Sequence, residues 1–264
     1  MAFYSHYGVT RLNHETIIIL DFGSQYTQLI ARRVREQGVY CEIHPFHLSA
    51  EAIMAKLPKG VILSGGPSSV TDDDAPRVAA DFYDRIDVPI LGICYGMQLV
   101  AVDLGGTSEP AARREYGAAT LKVLSGKTAL FNELPFNLDV WMSHGDHVTK
   151  LPDGFATTAT TGDVITAIEN DERSIYCVQF HPEVSHTPLG KEIIRNFVFN
   201  VCGCRGDWTP AQFIKEEIER IRQIVGPSGN VVCGLSGGVD STVAAVLVHE
   251  AIGEAHSTRN ADYR

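Results

Sequence analysis

With 264 residues, 44% hydrophobic and 20% charged, the chain has enough apolar material for a sizeable core, which argues against wholesale disorder. Its formal net charge of -10 leaves no basic surplus to neutralise phosphates, so a general nucleic-acid binder is not expected. No apolar run approaches the roughly eighteen residues of a membrane span, and a protein off the membrane is expected.

Six cysteines (41, 94, 177, 202, 204 and 233) lack paired framework spacing, which suits a reducing, cytoplasmic compartment. Cys202-Gly203-Cys204 is the one close pair; alone it is not a zinc motif, and no metal site is expected. Residues 1–15 have neither a continuous apolar core nor a small-residue cleavage site, so they read as an N-terminal extension.

Ile17-Ile18-Ile19-Leu20 predicts a strand ending in Asp21-Phe22-Gly23-Ser24, with a helix from Gln25 to Gln37. Gly38 closes that helix, and Val39 to His44 predicts a second strand. A weak helix (Ala50 to Lys56) leads to a third strand, Gly60 to Leu63, running into Ser64-Gly65-Gly66-Pro67. A helix from Ala75 to Arg85 precedes the strand Val88 to Ile93. Strands alternating with helices predict an α/β fold with an open, mostly parallel sheet covered on both faces.

From Ala118 the texture changes. Ala119 to Val123, Asp139 to Met142, Gly154 to Thr160, Val164 to Glu169 and Ser174 to Phe180 are short strand candidates, so a mixed or antiparallel section is expected. A helix from Lys191 to Val201 closes this domain, taken as 16–206. A second unit, 207–253, begins with a helix capped by Thr209, with Pro210 at its first position, running to about Val225. Asn230 to Leu235 predicts a strand and Thr242 to Glu250 a helix, one βα unit and no more. Residues 254–264 (EAHSTRNADYR) are polar and aperiodic; the second domain reads as cut short, with a divergent tail.

Two stretches carry chemistry. In Gly92-Ile93-Cys94-Tyr95-Gly96-Met97-Gln98 a cysteine between two glycines joins a strand to a helix, the pattern of a nucleophile elbow. A helix N-terminus favours a thiolate. A lone cysteine is more often a small core residue; the glycine bracket makes Cys94 a nucleophile candidate. In His181-Pro182-Glu183, positions i and i+2 of an extended segment point the same way, so Glu183 can fix the tautomer of a proton-carrying His181. His144 competes for the role of base. Gly66, at a neighbouring strand end, and Tyr95, after the nucleophile, can offer N–H groups to an oxyanion. Trp141 to Asp146 reads as a pocket lining or a buried strand end. Ser236-Gly237-Gly238-Val239-Asp240-Ser241, between strand and helix, reads as a phosphate cradle, without the Lys of the Walker form.

GICYGMQ, SGGP and HPE in this order resemble the class I (triad-type) glutamine amidotransferases, over about Thr16 to Val201. Leu20 to Tyr26 and Met142 to Asp146 narrow the resemblance to the GMP synthetase branch, and Ser236 to Ser241 resembles the loop of the ATP pyrophosphatases. The resemblance implies a flavodoxin-like amidotransferase domain with a Cys94–His181–Glu183 triad that hydrolyses glutamine without a cofactor. It further implies Gly66 and Tyr95 at the oxyanion, and Gln98, Ser143, His144 and Asp146 around the glutamine. ATP would lie on Ser236, Gly237, Gly238, Val239, Asp240, Ser241 and Thr242. In the family, ATP and Mg2+ activate XMP, ammonia converts it to GMP, and a C-terminal domain with no counterpart here forms the homodimer. The resemblance stops near Gly253, so a glutaminase half on an incomplete synthetase half is expected, with weak, uncoupled glutaminase activity or almost none. The rival readings are a non-catalytic truncated product that binds a partner, and a cysteine peptidase, which Gln98 and the phosphate loop disfavour.

Overall fold

The computed structural model describes residues 14–124 and 128–253. Glu15–Asp207 forms one compact unit, and His14 with residues 208–253 belongs to another. No described helix is long and apolar enough to cross a membrane.

The first unit opens with β1 (Thr16–Asp21), α1 (Thr27–Arg35), β2 (Tyr40–Pro45), α2 (Ala50–Met54) and β3 (Gly60–Leu63). It continues through α3 (Phe82–Arg85), β4 (Ile90–Ile93), α4 (Tyr95–Asp103), β5 (Thr107–Val123) and β6 (Asn137–Lys150). β7 (Ala156–Thr161), β8 (Val164–Asn170), β9 (Ile175–Val178) and α5 (Gly190–Arg195) complete it.

Among the described residues one nine-stranded sheet runs β2-β1-β3-β4-β9-β8-β7-β5-β6. Its first five strands pair in parallel and the rest antiparallel. The β-branched run of β1 explains its central place, since alternate residues feed two separate cores. Ile17 and Ile19 pack with Ile30 and Val34 of α1 and Ile193 of α5. Ile18 and Leu20 pack with Ile53 of α2, Phe82 of α3 and Leu99 of α4. A parallel sheet shielded on both faces follows directly from that continuous apolar pattern.

Four elements of this unit depart from the sequence reading. The helix expected over Ala75 to Arg85 is confined to Phe82–Arg85. Upstream, tertiary contacts hold the chain in non-helical form: the Tyr95 hydroxyl donates to Pro76 O at 2.6 Å, and Arg77 reaches Val70 O and the Asp103 carboxylate. The short strands expected at Ala119 to Val123 and Asp139 to Met142 belong to a long ribbon of 17-residue β5 and 14-residue β6. The ribbon accommodates Pro110 with a register shift after it and Gly117 with a positive φ of 114°. The closing helix changes to π geometry over Asn196–Val201, with Cys202 N–H donating to Phe197 O, five residues back.

The second unit holds α6 (Pro210–Val225) and α7 (Val239–Ile252). Thr209 caps α6 by accepting from Gln212 N–H at 3.2 Å, and Gly226, at φ 67°, ends it. The strand expected at Asn230 to Leu235 is not formed: only an isolated bridge occurs, at Val231. Val232 and Leu235 are exposed, and a strand needs a partner to satisfy its backbone groups.

Candidate active site

The strand-to-helix turn after β4 places Cys94 at φ 53°, ψ −105°, backbone that a non-glycine residue adopts only under strain. The flanking glycines are required by close approach. A Cβ on Gly92 would lie 2.8 Å from Gly96 O, and one on Gly96 would lie 2.5 Å from Leu63 O. Packing of the turn against β3 therefore presents the Cys94 side chain at the C-terminal edge of the parallel strands, where open α/β sheets bind ligands.

His181 and Glu183 follow β9 and meet as their spacing predicts, with Nδ1 2.8 Å from the Glu183 carboxylate. Both side chains are buried, Glu183 completely. Burial works against the His181 imidazolium; hydrogen bonding to Cys94 and Glu183 and their charges outweigh it, pushing the pKa up from 6.5 to about 11. Cys94 and His181 both flank Gly65, where an added Cβ would lie 3.7 Å from Cys94 Cβ and 3.2 Å from His181 Cε1.

The His-Pro-Glu segment is clamped by the chain around it. His181 N–H donates to Trp141 O at 3.1 Å, the Thr187 hydroxyl donates to His181 O at 2.7 Å, and the same hydroxyl accepts from Trp141 N–H at 3.1 Å. Arg33 Nε donates to Glu183 O at 3.0 Å. The Tyr26 ring meets His181 edge-on, with centroids 5.3 Å apart.

A cleft of about 550 Å3 opens over these groups. Cys94, His181, Gly66, Tyr95, Gln98, Ser143, His144 and Asp146 all line it. Tyr95 is the first residue of α4, where backbone N–H groups have no intrahelical partner, and Gly66 lies against it. Of the stretch Trp141 to Asp146, residues 143–146 line the cleft, whereas Met142 is core and Trp141 packs on His186. His144 turns Nδ1 to Asp146 O at 2.9 Å, so the imidazole paired with a carboxylate beside Cys94 is that of His181. The sequence reading missed Ser24, Tyr26, Ser69 and Tyr116 as cleft residues. Ser69 donates to the Asp146 carboxylate across 77 positions of chain, a pairing that no local pattern announces.

In the second unit the phosphate-loop candidate precedes α7. Gly237 has φ 81°, and Gly238 caps a 14-residue helix. The Ser241 and Thr242 hydroxyls donate to Gly238 O at 3.0 and 2.9 Å, and Ser236 Oγ lies 3.1 Å from Ser241 Oγ. Residues 232–240, which include Val239 and Asp240 of the helix's first turn, are exposed, so the turn can face an anion.

A strained cysteine elbow, a buried His-carboxylate pair and a parallel sheet that carries both define a class of protein, and the comparisons agree. The profile of the family glutamine amidotransferase class-I matches residues 18–201. The chain belongs to that family. A glutamine amidotransferase of Thermotoga maritima shares its fold, with 17% identity, a TM-score of 0.58, and coverage of 72% of this chain and 99% of that one.

Within the family the resemblance is to GMP synthases. Glutamine-hydrolysing GMP synthases of Alkaliphilus metalliredigens and Caldicellulosiruptor saccharolyticus are 53% and 56% identical over 92% of this chain. A crystal structure of a candidate GMP synthase component from Thermoplasma acidophilum is 31% identical, with a TM-score of 0.66, and covers 73% of this chain and 96% of that one. The NAD synthase profile matches residues 211–259. The chain spans 47% of the length of the two curated relatives.

Proposed function

We propose that the unit Glu15–Asp207 hydrolyses the side-chain amide of glutamine to glutamate and ammonia through Cys94, His181 and Glu183. One observation carries the reading: the buried 2.8 Å His181–Glu183 pair beside a cysteine on a strained turn. The Cys94 thiolate attacks the amide carbon, and the carbonyl π pair moves onto oxygen, held by the N–H groups of Gly66 and Tyr95. As the tetrahedral adduct collapses, His181 Nε2 gives its proton to the departing nitrogen, and ammonia leaves behind a γ-glutamyl thioester. Water then attacks the thioester carbon, Nε2 takes its proton, and the sulfur departs as thiolate with glutamate. Glu183 holds Nδ1–H throughout, which leaves Nε2 as the nitrogen that passes the proton. Gln98, Ser143, His144 and Asp146 hold the rest of the glutamine.

In the whole protein the ammonia aminates XMP activated by ATP, giving GMP, AMP and pyrophosphate in cytoplasmic purine synthesis. Gly237, Gly238, Ser236 and Ser241 fit the pyrophosphate of ATP, with Val239, Asp240 and Thr242 in the first turn of the helix behind them. Mg2+ would enter with ATP, bound through its phosphate oxygens. Relatives' names and the NAD synthase profile support this half of the reading.

The test is glutamate release by the chain and by Cys94→Ala, run with XMP, ATP and Mg2+ and scored also for GMP. Glutamate that depends on Cys94 is the expected result, with a loss of about 10^4-fold or more in the variant. Release unaffected by the substitution overturns the reading.

A further inference from the structure

Gln179 is a polar residue in an apolar run, Ile175 to Phe180, and the structure buries it completely. Its backbone N–H donates to Thr166 O of β8 at 2.8 Å, which fixes its position next to β9. A buried amide must find partners for its donors and acceptors, and the partners of Gln179 form an ordered chain. Asp146 O is a carbonyl and can only accept, so the group of Gln98 that lies 2.8 Å from it is Nε2. The same Nε2 reaches Gln179 Oε1 at 3.4 Å. That contact leaves Gln179 Nε2, a donor, 3.7 Å from Cys94 Sγ. Ser143 O also lies 3.7 Å from the sulfur. A carbonyl there accepts from a thiol and opposes a negative sulfur, so the charged form needs donors to offset it.

We propose, on the reading that Cys94 is the nucleophile, that Gln179 is a further catalytic residue whose side-chain N–H holds the Cys94 sulfur as a thiolate. Gln98 and Asp146 O set the direction of that donor, which couples the nucleophile to the strand that lines the glutamine cleft. The contact matters most when the sulfur carries full charge: before attack on the amide, and on departure from the thioester. His181 carries the proton; Gln179 carries none.

The experiment compares the chain with Gln179→Met, of similar length but without a donor, by iodoacetamide alkylation of Cys94 followed by peptide mass spectrometry. The expected result at pH 7 is alkylation and glutamate release both about tenfold slower, with alkylation recovering at alkaline pH, where the thiol ionises unaided. A merely structural role would not give that recovery. The second measurement needs no variant at position 179: the side-chain amide resonance of Gln179 is followed by NMR against pH in the chain and in Cys94→Ala. It is expected to move with the midpoint of Cys94 alkylation and to stay fixed in Cys94→Ala. Alkylation by Gln179→Met at the unaltered rate, or a resonance indifferent to pH, overturns the proposal while leaving Cys94 as nucleophile. Undiminished glutamate release by Cys94→Ala overturns the reading beneath it.

Discussion

In the unit Glu15–Asp207 the apolar strands lie between two layers of helix, and β1, β3 and β4 are buried on both faces. In residues 208–253 the helix α7 is rich in Val and Ala, yet Val239, Val243 and Val246 are exposed. Local pattern is strong in both regions and tertiary cover differs. Helices close their own backbone hydrogen bonds, so α6 and α7 form without further cover. Strands do not, so Asn230 to Leu235 stays unformed while the apolar run of β3 becomes a buried strand. The two candidate sites differ in the same way. The cysteine elbow depends on backbone packed to contact distance, whereas the turn before α7 needs only glycine and a helix N-terminus.

Breaking the close packing tests that contrast most severely. Gly96→Ala places a Cβ 2.5 Å from Leu63 O, so a stability loss of about 3 kcal/mol and near-complete loss of glutamate release are expected by urea melts and assay. Thr187→Val removes the hydroxyl that joins Trp141 N–H to His181 O, taking the partner from a part-buried N–H and a buried carbonyl. It is expected to cost about 1–3 kcal/mol and to lower kcat more than it changes KM.

A gentler probe uses pH. Burial, with help from the Asp171 charge, pushes Glu169 up from 4.5 to about 7. A carboxyl raised in the folded state contributes stability that is full below about 4.5 and lost as pH rises through about 7. Glu169→Gln should therefore melt above the unsubstituted chain at pH 8 and level with it at pH 4. The smallest effect is expected in the second unit. Val246→Glu, on an exposed position of α7, should change stability by less than about 0.5 kcal/mol and leave glutamate release untouched. A large loss there would show that the two regions are less different than their burial implies.

Much of the first unit was legible because its signals are local. The apolar runs of β1, β3 and β4, the glycine bracket of Cys94 and the i, i+2 spacing of His181 and Glu183 each specify geometry within a few residues. What was not legible depends on distant chain. The non-helical path around Pro76 and Arg77 is set by Tyr95 and Asp103, and the pairing of Ser69 with Asp146 joins the loop after β3 to β6, 77 positions away. The length of β5 and β6 was hidden because Pro110 and Gly117 are tolerated in a twisted ribbon. Gln179 did carry a signal, a lone amide inside a buried strand run, two residues before His181 and on the same side.

The central claim is that the sulfur of Cys94 becomes bonded to the glutamine side-chain carbon. Its most direct test is mass spectrometry of the Cys94 peptide from acid-quenched mixtures of the chain with glutamine. A γ-glutamyl adduct on Cys94, formed and discharged at the rate of glutamate release, is the predicted result. Glutamate released with no adduct at any time, or an adduct on another residue that discharges at that rate, would contradict it.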